Sequence, residues 1–311
     1  MILAFDVGGT HIKGGLVRDG AVVALVADRT DERDGARGVL TSVTRLGERL
    51  MAIHDVTAVG VAIRGIVDAE RGVLSDVNEP LTSLIGRPVA ALIARELRRP
   101  TYVENDARMY ALGELTRGAG RGSSSMVCLT LGTGIGSGVA LGGRVLRGTR
   151  GVAGILGGHL TVQAGGPRCT CGNIGCLEAL IGTAGLISAA RVALAGSDSI
   201  SILRDGVLDP RRIFAAAAGG DRLAGDVVRQ FAAHLGAGVV TLIHAHDPDT
   251  VVLGGGMMRS SAQFLPAVRA YVDTHAWTLP RGRVSLIPAA LGDAAALVGV
   301  AELARNPDLL L

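Results

Sequence analysis

Residues 2–27, ILAFDVGGTHIKGGLVRDGAVVALVA, read as an apolar strand, a glycine turn, a second strand, an Asp-Gly turn and a third strand. Asp6 ends the first strand, and Gly8, Gly9 and Thr10 follow it. A carboxylate beside free backbone N–H groups and a hydroxyl suits phosphate oxygens and a hydrated magnesium ion. Taken alone, D-x-G-G-T also suits an ordinary tight turn. Residues 125–148, SMVCLTLGTGIGSGVALGGRVLRG, repeat the plan: an apolar strand, a turn through Gly132, Thr133 and Gly134, another apolar strand and a Gly-Gly turn. Thr130 stands where Asp6 stands in the first copy. Two related hairpins so far apart predict an internal duplication, each half presenting a phosphate-binding turn to a shared cleft. Lys13, the sole lysine, lies just after the first turn. It reads either as positive charge near the phosphates or as a surface residue of the second strand.

The next informative stretch is 141–178, LGGRVLRGTRGVAGILGGHLTVQAGGPRCTCGNIGCLE. Cys169, Cys171 and Cys176 form C-x-C-x4-C, with His159 upstream among glycines. One His and three Cys make the closed tetrahedral set that structural zinc prefers. A disulfide is disfavoured because the N-terminus shows no signal peptide, and core packing does not account for cysteines so closely spaced.

The run GVAGILGGH followed by C-x-C-G-N-x-G-C-x-E resembles the signature of the ROK family, a group of repressors, open reading frames and sugar kinases. The paired hairpins look like the actin-like ATPase (ribonuclease H-like) fold, an α/β architecture of two domains with a cleft between them. The resemblance implies a discontinuous smaller domain, 1–110 plus 296–311, and a larger one, 111–295, carrying the zinc knuckle. It also implies that the knuckle braces a loop whose His159 and Glu178 touch a sugar, and that Gly254, Gly255 and Gly256 lie on the adenosine side. From spacing alone, those three glycines are equally a plain strand-to-helix turn. Asp106 matches the catalytic base of the family's E-N-D motif, while Asn105 and Asn78 match its sugar-hydroxyl ligands. On spacing alone, Asn105 and Asp106 are also good helix caps.

Between the hairpins, Val39, Leu40, Val43, Leu46 and Leu50 have helical spacing within 31–54, and TAVGVAIRGIV (57–67) reads as a strand. Helices are predicted over 89–97, from about 107, and over 183–195, 210–217 and 223–245. The strand TVVLGGGM, a last strand VSLIPAAL and a closing helix DAAALVGVAELA complete the chain. The resemblance implies that the closing helix returns to the first domain.

The 311 residues suffice for two domains. Aromatic content of 3% leaves few stacking surfaces for bases, and a formal net charge of +3 without a polybasic block gives no footprint for nucleic acid or an anionic membrane. No apolar run approaches the roughly 20 residues of a membrane span. A cytoplasmic protein is expected, and family members are commonly homodimers.

These parts predict phosphoryl transfer from ATP, with Mg2+ catalytic and Zn2+ structural, to a primary hydroxyl of a hexose. Polyphosphate would fit the same turns. Glucose is the default substrate, but one departure bears on it. Family kinases acting on glucose carry G-E-[IL]-G-H, whereas this chain has GILGGH, so Ile155 or Leu156 replaces a Glu that meets the anomeric end. Leaving a buried hydroxyl unpaired costs about 1–3 kcal/mol. An amino sugar, an N-acetyl sugar (N-acetylmannosamine, N-acetylglucosamine), kanosamine or a cyclitol is the alternative. The loop after Asn78 and Arg64 also depart from the family pattern. A repressor needs a DNA-binding module of roughly 80 residues before the first turn, and Asp6 lies too near the start for one; a non-catalytic sugar sensor is the weaker rival.

Overall fold

The computed structural model describes residues 1–31 and 33–311; Glu32, inside the expected polar approach to the first helix, lies outside the described residues. Contacts divide the chain into two compact units, one comprising Met1–Met126, Gly138–Ile155 and Ala289–Leu311, the other Val127–Ser137 and Leu156–Pro288.

In the first unit the opening hairpins form β1 (Ile2–Val7), β2 (His11–Arg18) and β3 (Ala21–Arg29). After α1 (Ala36–Met51) come β4 (Ala58–Ile63), a small hairpin of β5 (Ile66–Asp68) and β6 (Val73–Asp76), α2 (Val89–Leu97), β7 (Thr101–Asn105) and α3 (Asp106–Arg117). The sheet order is β3-β2-β1-β4-β7. β1, β2 and β3 pair antiparallel, and β4 and β7 add in parallel. Every residue of β4 is buried, as its unbroken AVGVAI predicts for a central parallel strand. The expected strand over 57–67 instead breaks at Arg64, because Gly65 takes φ +112° and turns the chain into β5.

Helix α1 buries Val39, Val43, Leu46 and Leu50, the stripe predicted from spacing, with Leu40 half-buried. It covers one sheet face with α2; α9 (Ala295–Arg305) covers the other and packs on α3. A Cβ on Gly299 would lie 1.8 Å from Met109 O, so glycine is what lets these two helices approach. The closing helix therefore does pack on the first sheet.

The second sheet has order β10-β9-β8-β11-β12, from β8 (Ser125–Leu131), β9 (Ile135–Leu141), β10 (Arg144–Val145), β11 (Thr250–Gly254) and β12 (Ser285–Pro288). This is the first sheet's order repeated, three sequential strands followed by two that arrive after helices, as a duplication requires. In the second unit α4 (Leu177–Ile181), α5 (Thr183–Ala195), α6 (Pro210–Ala218) and α8 (Leu265–His275) gather around α7 (Arg222–His246). Phe214, Phe231 and Phe264 meet there with ring centroids 5.0–5.5 Å apart. The expected boundaries at 110/111 and 295/296 differ from the observed ones, because all of α3 and the segment 138–155 pack with the first unit. No helix among the described residues is long and apolar enough to cross a membrane.

Candidate functional site

In the first unit, Asp6 sits near the C-terminal end of β1, and the antiparallel register puts Lys13 directly opposite it on β2. Lys13 is half-buried. The Asp6 carboxyl is pushed up to about 6, chiefly by burial, then by the negative charge of Asp106, against the lowering effect of Lys13; Asp293 adds a smaller rise. After β1 the turn through Gly8, Gly9 and the exposed Thr10 is closed by Gly8 N–H donating to His11 O at 3.0 Å. Thr30 holds it from the side, its hydroxyl donating to Gly8 O at 2.8 Å. Asn78 is exposed, in the segment following β6.

Asn105 and Asp106 stand where β7 gives way to α3. The Asn105 side chain caps α3 by accepting from Arg108 N–H at 2.9 Å, and its Nδ2 donates to Gly65 O at 2.9 Å and to Asp106 Oδ1 at 3.2 Å. Both amide protons are thereby used, so capping, one of the two readings of the sequence, accounts for most of this side chain. Asp106 Oδ1 also accepts from Ala107 N–H at 2.8 Å, while Oδ2 makes no hydrogen bond among the described residues. Burial raises the Asp106 carboxyl above the usual carboxylate range; the Ala107 N–H and the charge of Arg64 oppose the rise. One oxygen is fixed and the other left to take a proton.

In the second unit the turn of Gly132, Thr133 and Gly134 is closed by Gly132 N–H to Gly134 O at 3.1 Å. Glu178, in the first turn of α4, accepts from Ile135 N–H at 2.8 Å through Oε2. Gly254 ends β11, and Gly255, at φ +88°, lies against the backbone of Leu131; a Cβ there would be 2.5 Å from Leu131 O. Space is open around Gly256. The glycine run is thus laid against the end of the strand leading into the turn.

His159, Cys169, Cys171 and Cys176 converge, with ligand atoms all within 4.8 Å of one another, a cluster able to hold a metal ion. Cys171 and Cys176 Sγ are 3.7 Å apart, and Cys169 Sγ is 3.6 Å from His159 Nδ1. With Nδ1 in the cluster, His159 keeps Nε2 for another partner.

A model of the ROK family matches residues 2–307. This chain belongs to the ROK family. A glucokinase of Halalkalibacterium halodurans is 30% identical over 97% of this chain and 94% of its own length. The bifunctional enzyme NanE/NanK of Brucella melitensis is 33% identical over 98% of this chain and 54% of its own length. A ROK family glucokinase from Streptomyces griseus, solved in complex with glucose and AMPPNP, is 31% identical with a TM-score of 0.84, covering 98% of this chain and 99% of that one. The architecture is thus the actin-like ATPase fold of ROK kinases.

Three charged residues of this ROK chain escaped the sequence reading. Glu104 and Arg108 form a fully buried ion pair, and Glu104 Oε2 also accepts from Arg147 at 2.9 Å. Arg108 further donates to Leu146 O and Gly151 O at 2.8 Å and to Ala153 O at 3.1 Å. The pair thereby ties the helix bearing Asp106 to the segment leading into Ile155. The only sequence signal was an arginine four residues after a glutamate at a strand end, which normally reads as surface.

Proposed function

We propose that this chain is an ATP- and magnesium-dependent sugar kinase that transfers the γ-phosphoryl group to a primary hydroxyl of a hexose, with glucose as the default acceptor. The observation that carries the reading is the Asp106 carboxylate at the start of α3, one oxygen held by Ala107 N–H and Asn105 and the other without a hydrogen bond among the described residues. As the acceptor oxygen bonds to the γ-phosphorus and the bond to the ADP oxygen breaks, the hydroxyl proton passes to Asp106 Oδ2. The transfer comes late, when that hydroxyl has become acidic.

Asp6, with Lys13 opposite, would hold a hydrated magnesium ion, which when bound would supply positive charge to the phosphates. Gly8, Gly9 and Thr10 in one unit and Gly132, Thr133 and Gly134 in the other offer backbone N–H groups and hydroxyls to phosphates. Gly254, Gly255 and Gly256 serve the adenosine. Asn78, Asn105, His159 and Glu178 serve the acceptor, Asn105 through the remaining lone pair of Oδ1, His159 through Nε2.

The cluster of His159, Cys169, Cys171 and Cys176 fits structural zinc. Tetrahedral Zn–S bonds of about 2.3 Å and a Zn–N bond of about 2.0 Å give edges of roughly 3.8 Å between sulfurs and 3.5 Å between sulfur and nitrogen. The 3.7 and 3.6 Å separations match those edges. The proposal keeps a cytoplasmic homodimer.

A second acceptor class is favoured by one observation. Ile155 is buried and Leu156 is 44% exposed, and neither can accept a hydrogen bond where glucose kinases of the family place a Glu. An amino sugar, an N-acetyl sugar or a cyclitol removes or replaces that demand. The deciding experiment is ADP release with ATP and magnesium across glucose, mannose, glucosamine, N-acetylglucosamine, N-acetylmannosamine, kanosamine and a valiolone-like cyclitol. Turnover of one of these, lost by about a thousandfold or more in Asp106→Asn, is the expected result. Silence across the panel, or an active Asp106→Asn, refutes the reading.

A further inference from the structure

Within the second unit, residues 176–183 join the metal cluster to the glycine turn. Cys176 immediately precedes α4 and supplies one cluster thiol. Glu178, two residues on, accepts from Ile135 N–H through Oε2, and a Cβ on Gly134 would come within 2.5 Å of that oxygen. Thr183 opens α5 and donates to Gly132 O twice at 3.1 Å, from its backbone N–H and its hydroxyl; the N–H is also 3.3 Å from Thr133 O. The turn is therefore held on one side by a carboxylate and on the other by a threonine. Glu178 Oε1 makes no hydrogen bond among the described residues.

We propose that Glu178 is a positioning residue for the nucleotide as well as an acceptor ligand, so that acceptor and nucleotide raise each other's affinity. This rests on the kinase reading above. The terminal torsion of a glutamate is broad, so a carboxylate held through one oxygen still rocks. A sugar hydroxyl donating to Oε1 holds it from the second side, and the Ile135 N–H bond stiffens with it. The turn that receives phosphates is then ordered before the nucleotide arrives. The second ligand meets a smaller ordering cost, and linkage makes the effect reciprocal. Thr183 steadies the same turn without reaching the acceptor, so it sets nucleotide affinity and leaves the coupling alone.

The test is equilibrium binding of magnesium-AMPPNP with and without the sugar that the panel identifies, and of that sugar with and without AMPPNP. In the unaltered protein each ligand is expected to tighten the other by the same factor, about 5- to 20-fold. In Glu178→Gln the amide oxygen can still accept from Ile135 N–H, but the amide nitrogen turned to the sugar cannot accept. Both ligands should still bind, with the factor reduced to within about twofold. In Thr183→Val nucleotide affinity should fall about 3- to 10-fold, a lost hydroxyl contact, with the factor unchanged. Circular dichroism and metal content check that each variant is folded. Independent binding of the two ligands in the unaltered protein overturns the proposal, as does full coupling in Glu178→Gln. A chain that binds AMPPNP but no sugar in the panel overturns the kinase reading instead.

Discussion

Replacing Asp6 by Asn should stabilise the protein while removing its activity. The carboxyl is desolvated by burial near the end of β1, with Asp106 nearby, and its rise from an ordinary 3.8 to about 6 reflects how unfavourable the ionised form is in the fold. At 1.36 kcal/mol per unit, that rise corresponds to about 3 kcal/mol of destabilisation once the group is ionised in both states. A folded value raised above the unfolded one means that the cost is fully present above about pH 6. It shrinks as pH falls through 6 and vanishes below 3.8. Asn has nearly the same shape and no charge, so the variant should gain up to about 3 kcal/mol at pH 8, roughly 5–10 °C in Tm for a chain of this size. Part of the gain is offset because Lys13, directly opposite, loses its counter-charge. Thermal melts of both proteins between pH 4.5 and 8 measure the gap, with ADP release followed in parallel. Magnesium with ADP should narrow it at pH 8, since the metal binds only the carboxylate. An Asn variant no more stable than the parent at pH 8, or a gap that widens toward pH 5, would refute the electrostatic account.

Two further outcomes follow from buried chemistry. Arg108→Met should leave Glu104 charged and buried with only Arg147 and a backbone N–H for company, costing about 3–5 kcal/mol and lowering Tm by on the order of 10 °C; a variant melting with the parent would show the pair to be inert. Protein purified without chelator should carry about one zinc per chain, and Cys176→Ser should lose it together with several degrees of Tm. Elemental analysis showing the same zinc content in the Ser variant would remove Cys176 from the ligand set.

Much of this molecule is legible locally. The paired hairpins are visible because strands and glycine turns are written in adjacent residues, and the two sheets share one strand order as the duplication predicts. The His/Cys group able to hold a metal ion is equally local, its three cysteines lying within eight residues. The register of the first hairpin converts an ambiguous lysine into the residue facing Asp6, something a turn two or three residues away fixes but composition does not. Asn105 shows a different limit. Its two readings, cap and ligand, are both permitted by a strand running into a helix, and only the carbonyl of Gly65, forty residues earlier, reveals that its amide protons are taken.

What the tertiary structure alone decided involves groups that meet from distant parts of the chain. Glu104 and Arg108 look like a surface helix pair until α3, β7 and the segment 146–153 close over them. The motif's resemblance leads one to expect Glu178 at a sugar, but its hydrogen bond from Ile135 comes from a strand more than forty residues away. Of Ile155 and Leu156, which sequence could not separate, packing buries the first and exposes the second. Periodicity and turn chemistry are properties of neighbouring residues and can be read from them. Burial, and with it the strength of every charge and hydrogen bond in the site, is set by what else arrives, and that is known only once the chain has folded.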